Sequence, residues 1–396
     1  MIEIREARDE DRKSVASVLW KAFEATETFE NMLKQDWLKD WHKPDENDWS
    51  YVAVEDGRVV ANFSFFVSDK NIIRGNPMKF SGIWGVATDP LYRGKGLIRD
   101  LFTKTFPIMR EKGAVLSILD PFYKPFYEKF DYALAEKRAK HTFKKDQLRD
   151  VEVPAGITWR EATSPDDIET VMNIEKTMSR FGSRFFAFRK SIKKSIEKGN
   201  LIIVEKDTVP IGTIKFQFSK GSHPGYEMTI GTTRYTTDEA LLAMMEIVRN
   251  YVTNTEKATW WADYDVPIRH YFKSHNAETH TLGSMMMRVI DFEEYCRSIC
   301  IPKEASEEIV IDLYDEQCPW NSGIYTLKPN DGKLEVSTIK AKPEIKLNAF
   351  QLSRVISGLN PITLLRNLHE IDCSIETAQN LEAIFPIDSF IAYQRF

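Results

Sequence analysis

The chain has 396 residues, 42% hydrophobic and 29% charged, with 54 Lys and Arg against 59 Asp and Glu for a net charge of −5. That length exceeds one ordinary core and suggests roughly two or three domains, while the slight acidity and the lack of a long basic run argue against a nucleic-acid partner. Met1-Ile-Glu-Ile-Arg is charged from its third residue, unlike a signal peptide, and no run approaches the roughly 20 apolar residues of a bilayer span, so a cytoplasmic protein without a membrane partner is expected.

A short strand, Ile2–Arg5, opens the chain, followed by a helical region including Val15, Val18, Leu19 and Phe23. Tyr51–Glu55 and Val59–Val67 alternate around Asp56-Gly57, a hairpin signal. A strand ending near Thr88, a helix over Gly96–Lys112, a strand over Ala114–Leu119 and a Pro/Tyr-rich connection come next. From about 155 the outline repeats: a helix opens at Asp166-Asp167-Ile168-Glu169, Leu201–Glu205 and Ile211–Phe218 flank a turn, and a strand near Met228–Thr232 leads to a helix over Asp238–Val252. The third part shows strands at Ile309–Leu313, Ser322–Lys328 and Lys333–Thr338, a turn at Asn330-Asp331-Gly332, and helices at Ala349–Ile356, Pro361–Leu368 and Thr377–Ile384. No glycine-rich linker separates the parts, which are expected to pack together.

Cys296, Cys300, Cys318 and Cys373 are few and scattered, as expected of buried thiols rather than a disulfide or zinc framework. His270, His275 and His280 turn about 140° per step on a helix and do not converge, so no metal is expected.

The chemistry concentrates in residues 84–99. An apolar strand ends in Thr88-Asp89-Pro90, and a basic turn containing Gly94 and Gly96 leads into an amphipathic helix with Leu97, Leu101 and Ile108 on one face. Such a junction aims backbone N–H groups and the positive helix end at one spot. The glycines let the backbone approach a bulky anion, and Arg93, Lys95 and Arg99 add charge. A diphosphate cradle for a nucleotide-containing cofactor follows, the alternative being a solvated basic turn. The Walker A pattern and the third glycine of a dinucleotide fingerprint are absent. In the second part the corresponding junction, Thr232-Thr-Arg-Tyr-Thr-Thr-Asp238, has no glycine and looks like a helix cap rather than a phosphate nest.

Arg93-Gly94-Lys95-Gly96-Leu97-Ile98 resembles the Arg/Gln-x-x-Gly-x-Gly/Ala loop of GCN5-related N-acetyltransferases (GNAT), with Ile98 departing where a small residue stands. Over essentially its whole length the chain resembles the enhanced intracellular survival (Eis) acetyltransferases. The landmarks are Tyr127-Glu-Lys-Phe-Asp-Tyr132, Met287-Arg288-Val289-Ile290-Asp291, Pro319-Trp320-Asn321-Ser322-Gly323 and a terminal phenylalanine. The resemblance implies an α/β (α+β) chain: a catalytic GNAT domain over 1–150, a degenerate one over 151–298 and a sterol-carrier-like domain over 299–396.

It further implies that acetyl-CoA is bound by Val86, Ala87, Thr88, Arg93, Gly94, Lys95, Gly96, Leu97, Ile98, Arg99, Phe122 and Tyr123, the Val86–Thr88 amides meeting the thioester oxygen. Tyr127 would be the general acid, with Tyr123 and Tyr132 near enough to compete. A phenol of pKa about 10 suits a thiol of about 8.5. The terminal carboxylate of Phe396 would be the base, or would hold the substrate cation, with the apolar tail Phe390–Phe396 docked. The implied acceptor is a small-molecule amine, aminoglycosides leading and polyamines or lysine side chains behind. A non-catalytic acyl-CoA or lipid-binding protein is the reading from another class. Arg395 stands where an acidic residue is usual and would repel a polycation unless neutralised; Glu24, Glu27 and Glu30 are the acidic candidates. Phe23, Phe29, Trp37, Trp41, Phe65 and Phe66 could line a wide pocket or be plain core. A homo-oligomer, a hexamer, is the family's assembly.

Overall fold

The structure, a computed structural model, describes residues 2–23, 28–34, 48–69, 71–178, 183–186, 189–221, 225–231, 233–338, 341–388 and 390–393. The first sheet runs in the order Ile2–Glu6, Asp48–Glu55, Arg58–Ser68, Phe80–Thr88, Leu116–Leu119, Met286–Val289, Ala133–Leu134. Its neighbours are antiparallel except Phe80–Thr88 against Leu116–Leu119. The Asp56-Gly57 turn takes positive φ at both residues, as a two-residue hairpin requires.

Side-chain alternation builds two faces on this sheet. Val52 and Val54 pack with Val15, Val18 and Leu19 of the helix Arg12–Ala22. Tyr51 and Ala53 pack with Leu97, Leu101 and Phe102 of the helix Leu97–Glu111. Burial on both faces explains the nearly unbroken apolar run in Arg58–Ser68.

The second sheet repeats the plan in the order Ile157–Glu161, Leu201–Lys206, Val209–Lys220, Tyr226–Ile230, Thr255–Asp263, Lys137–Phe143, Glu278–Gly283, with Arg234–Tyr235 also paired to Val209–Lys220. Leu201 and Ile203 face Asp167–Met178 and Arg189–Glu197, whereas Ile202 and Val204 face Asp238–Tyr251. The two sheets exchange strands: Lys137–Phe143 enters the second, and Met286–Val289 enters the first. Sheet membership therefore crosses the division near residue 150, because a short strand carries no mark of which sheet it will join.

The third sheet runs Lys333–Thr338, Gly323–Asn330, Ile309–Tyr314, Ile345–Asn348, the last strand parallel to its neighbour and not foreseen. Helices Ala349–Ile356, Ile362–Asn367 and Ile375–Ile384 cover it. One apolar core joins this unit to the first sheet, with Phe80, Leu116 and Met287 in the same cluster as Ile311 and Leu352, so the units pack together as expected. The strand Ile391–Ala392 lies parallel to Arg184–Phe185 in a small sheet with Asn71–Ile73 and Asn76–Pro77. Residues 390–393 are thus docked between all three units; Phe396 and Arg395 fall outside the described residues.

The thiols correct one expectation. Cys296 and Cys318 are buried and Cys373 is partly so, but Cys300 is exposed, because the extended chain after the helix Phe292–Ser298 alternates and Ile299 and Ile301 take the buried side.

Candidate functional site

Parallel pairing between Phe80–Thr88 and Leu116–Leu119 begins at Phe80 with Leu116 and ends at Ile83 with Leu119. Beyond Ile83 the first strand continues to Thr88 with no strand paired on that side among the described residues, so the two strands part there. On its other side a register shift falls between Asn62 and Ser64, opposite the stretch from Trp84 to Ala87, and Gly85 within it has φ +61°. Buried Asn62 holds the bulge: its Nδ2 donates to the Gly85 carbonyl at 2.7 Å and to Ser64 Oγ at 3.1 Å, and Ser64 Oγ lies 2.7 Å from Ser50 Oγ. Asn62 Oδ1 has no hydrogen-bond partner among the described residues. Nothing in the sequence spacing marked these three polar residues.

The loop after the strand is anchored by buried Asp89, whose carboxylate accepts from Lys21 Nζ at 2.9 Å, an Arg58 guanidinium N–H at 2.6 Å and the Leu91 N–H at 3.2 Å. Burial alone would raise its pKa, but Lys21, the Leu91 amide and Arg58 together hold it below the ordinary carboxylate range. From there Pro90–Tyr92 makes one tight turn, and Gly94 and Gly96 take φ +81° and +79°. A side chain added at Gly94 would meet nothing within 4 Å. The absent side chain therefore leaves the backbone open to a ligand rather than to a protein neighbour.

Arg93, Lys95 and Arg99 are exposed around this turn, Lys95 lying 4.3 Å from the centre of the Tyr92 ring. The helix Leu97–Glu111 starts with Gly96 as its cap and no capping side chain. Its first amides are therefore not satisfied by a side-chain cap. The side chains of Leu97 and Ile98 are buried in the core, so only their backbone can face the turn. The volume of Ile98 goes into that core, which lets it stand where the family has a small residue.

Tyr127 lies on the short helix Lys124–Glu128, in one apolar cluster with Ile83, Leu119, Leu97 and Ile98. It is 4% exposed; burial, and secondarily Asp120, push its phenol well above the ordinary tyrosine range. Of the two competitors, Tyr132 is fully buried and engages Ser117 Oγ at 2.6 Å, while Tyr123 is 59% exposed at the helix cap. Phe122 is 70% exposed, its ring 5.7 Å from those of Phe126 and Tyr127.

The turn after Tyr127 is clamped from the second unit. Arg288, 1% exposed on the exchanged strand, donates to the Phe130 carbonyl at 2.9 Å and to both Asp315 oxygens at 3.0 and 2.8 Å. Its guanidinium lies 4.4 Å from the centre of the Phe106 ring. Phe130 N–H in turn donates to the Tyr127 carbonyl at 2.9 Å.

The corresponding junction of the second unit differs as its sequence suggested. Thr237 caps Asp238–Tyr251 by accepting from the Ala240 N–H, and Trp260 Nε1 donates to Thr233 Oγ1 at 2.6 Å. A cavity of about 250 Å³ beside the junction is lined by Asp238, Asp263 and Asp265 as well as Arg184, a poor environment for a diphosphate. Among the aromatics named above, Phe65 and Phe66 are core, Phe29 packs on Trp20 with ring centres 6.0 Å apart, and Phe23 is exposed. Glu30 is exposed; Glu24, Glu27, Trp37 and Trp41 lie outside the described residues. No group of His, Cys, Asp and Glu that could hold a metal ion occurs among the described residues, nor does any helix there have the length and apolarity to cross a membrane.

A bulged strand parting from its parallel neighbour, followed by a glycine turn into an uncapped helix, defines an acetyltransferase of the GNAT type. The family model described as an acetyltransferase (GNAT) domain matches residues 3–135, and that of the sterol carrier protein domain matches residues 292–389. Residues 3–135 are thus a GNAT acetyltransferase domain and residues 292–389 a sterol carrier protein domain, with a second unit of similar sheet plan between them. No curated protein matches it in sequence. Its whole-chain fold is shared with a GCN5-related N-acetyltransferase from Kribbella flavida (TM-score 0.85, 18% identity, covering 100% of this chain and 98% of that one). It is also shared with one from Anabaena variabilis (0.83, 17%, 100% of both chains) and with Eis1 from Mycobacterium abscessus (0.77, 14%, 100% of both chains).

Proposed function

We propose that this chain moves the acetyl group of acetyl-CoA onto the amine of a cationic small molecule, aminoglycosides leading and polyamines or lysine side chains behind. The observation that carries the reading is the opening beyond Ile83 together with the unfilled space at Gly94. Both fit a long, anionic, backbone-bound cofactor, which when bound supplies the activated acetyl thioester. The amides from Arg93 to Arg99 and the exposed cations Arg93, Lys95 and Arg99 would hold its diphosphate. Backbone N–H groups in the parted stretch ending at Thr88 would face the thioester oxygen, where negative charge grows in the transition state.

Tyr127 is protonated at neutral pH, as any phenol is, and its Oη would give that proton to the departing thiolate; burial opposes the transfer by raising the phenol above the range that suits a thiol, so the proton would move only as negative charge builds on the sulfur. Asn62 fixes the bulge that aims those amides. The base expected at Phe396 lies outside the described residues, and the reading rests on the parted strand, the loop and Tyr127.

The test is thiol release from acetyl-CoA with aminoglycosides, polyamines and lysine peptides as separate arms, for the native chain, Tyr127→Phe and Tyr132→Phe. Loss of a general acid lowers kcat by about 10²–10⁴ while leaving coenzyme A affinity alone. Tyr132→Phe loses one buried hydrogen bond, about 1 kcal/mol of stability, and retains turnover. Equal turnover in Tyr127→Phe removes the phenol from the mechanism, and binding of acetyl-CoA without turnover on any amine sinks the enzyme reading.

A further inference from the structure

The second unit contains a cavity that acetyl transfer leaves unused. It encloses about 540 Å³, within the range of small-molecule sites. The helices Asp167–Met178 and Arg189–Glu197 contribute to its wall, beside the last paired residues of Tyr226–Ile230 and Thr255–Asp263, Ile230 and Trp260. Neither Tyr127 nor any residue from Trp84 to Arg99 lines it.

Its charge is one-sided. Arg138, Lys215 and Arg234 line it, and among the described residues no carboxylate does. Glu175 approaches Arg234 at 2.6 Å but is not among the lining residues, and the charges of Arg138 and Arg184 act on Asp263. Lys215 differs from these arginines. It is half-buried, and the charged groups acting on it are Arg234, Lys198 and Lys194, all cations; burial first and these neighbours second pull its ammonium below the usual lysine range. A desolvated ammonium with only cations acting on it among the described residues is costly, and an anion in the cavity would relieve it. The rest of the wall is mixed: Ser191, Ser195 and Thr229 add hydroxyl groups, and Phe216, Trp261 and Tyr393 supply apolar surface, Tyr393 tying it to the docked end of the chain.

We propose that this cavity binds a small organic anion, its oxyanion head on Lys215 with Arg138 and Arg234 and its apolar body against Phe216, Trp261 and Tyr393. The site is independent of the acetyl-transfer reading and makes the second unit a binding domain in its own right.

The experiment is calorimetric titration of the full chain with phenyl phosphate, in low-salt buffer with coenzyme A saturating so that the first unit's cradle is filled. The expected result is one site per chain, with phenol, which lacks the charge, binding at least tenfold more weakly. Lys215→Met weakens phenyl phosphate at least tenfold while its melting temperature without ligand stays at or above the native value, since a strained cation has gone. The absence of phenyl phosphate binding, phenol binding as tightly, or undiminished affinity in Lys215→Met overturns the proposal. The comparison of the two probes on the native chain decides the matter even where a variant folds poorly.

Discussion

Gly94 and Gly57 form a matched pair that separates backbone strain from ligand access. Both hold positive φ, +81° and +76°, and a side chain added at either meets nothing within 4 Å. Alanine in that conformation costs about 1–2 kcal/mol, offset by about 0.4–1 kcal/mol from a less flexible unfolded chain. Each substitution should therefore lose about 1 kcal/mol of stability, and the two losses should be alike. Their effects on binding should differ. Gly57 sits in the Asp56-Gly57 hairpin, whereas the methyl group of Gly94→Ala would enter the space proposed for the diphosphate. Displacing one amide hydrogen bond to a charged group costs about 1.5–3 kcal/mol, or roughly tenfold to a hundredfold in affinity. Calorimetric titration with coenzyme A, beside thermal unfolding of both variants, reads the two quantities separately. Equal coenzyme A affinity in Gly94→Ala and Gly57→Ala would refute the cradle, whatever the stabilities.

The Arg288 clamp and its neighbourhood give two further tests. Arg288→Met leaves the carboxylate of Asp315, 2% exposed, without its cation and held only by the Cys318 N–H and Asn321 Nδ2, and should cost about 3 kcal/mol in chemical unfolding, the lower end of the range for breaking a buried pair; a loss under 1 kcal/mol would show that the pair does not hold the units together. Burial pushes the Asp131 carboxyl up to about 6, with Arg288 opposing and Asp315 and Glu316 adding. A carboxyl raised in the folded state stabilises most below its unfolded pKa of about 3.9, and that contribution is lost as pH rises through about 6. Asp131→Asn, which tolerates the positive φ of 63° there, should raise the melting temperature at pH 8 and change it little at pH 4. A gain confined to pH 4 would reverse the sign and defeat the assignment.

Legibility followed the range of each interaction. The glycine turn, the hairpins at Asp56-Gly57 and Asn330-Asp331-Gly332, and the Thr237 cap are local: the residues that impose the conformation are the ones that adopt it. The helix Ala349–Ile356 matched residue for residue, because its cap Asn348 and its apolar spacing agree. What the sequence hid was non-local. Asp89 reads as the start of a turn, and only the fold brings Lys21 and Arg58 to its carboxylate. Ile345–Asn348 is too short for its alternation to register, and its partner Ile309–Tyr314 lies far back in the chain. Asn62, Ser64 and Ser50 interrupt apolar strands and look like flaws in a pattern until the bulge at Gly85 gives them a purpose.

The exchanged strands make the second unit part of the first one's machinery, independent of any ligand of its own. Without Met286–Val289, the strand Leu116–Leu119 would lose its partner on the side away from Phe80–Thr88, leaving an unpaired edge beside the site. The same strand delivers Arg288 to the Phe130 carbonyl, one hydrogen bond from Tyr127, and fastens that turn to Asp315 in the sterol-carrier unit. In return Lys137–Phe143 leaves the first unit to sit between two strands of the second. A unit lacking the glycine loop can thus be indispensable to the geometry around the phenol, since both the sheet edge and the clamp come from it. Coupling of this kind ties the position of Tyr127 to the integrity of all three units.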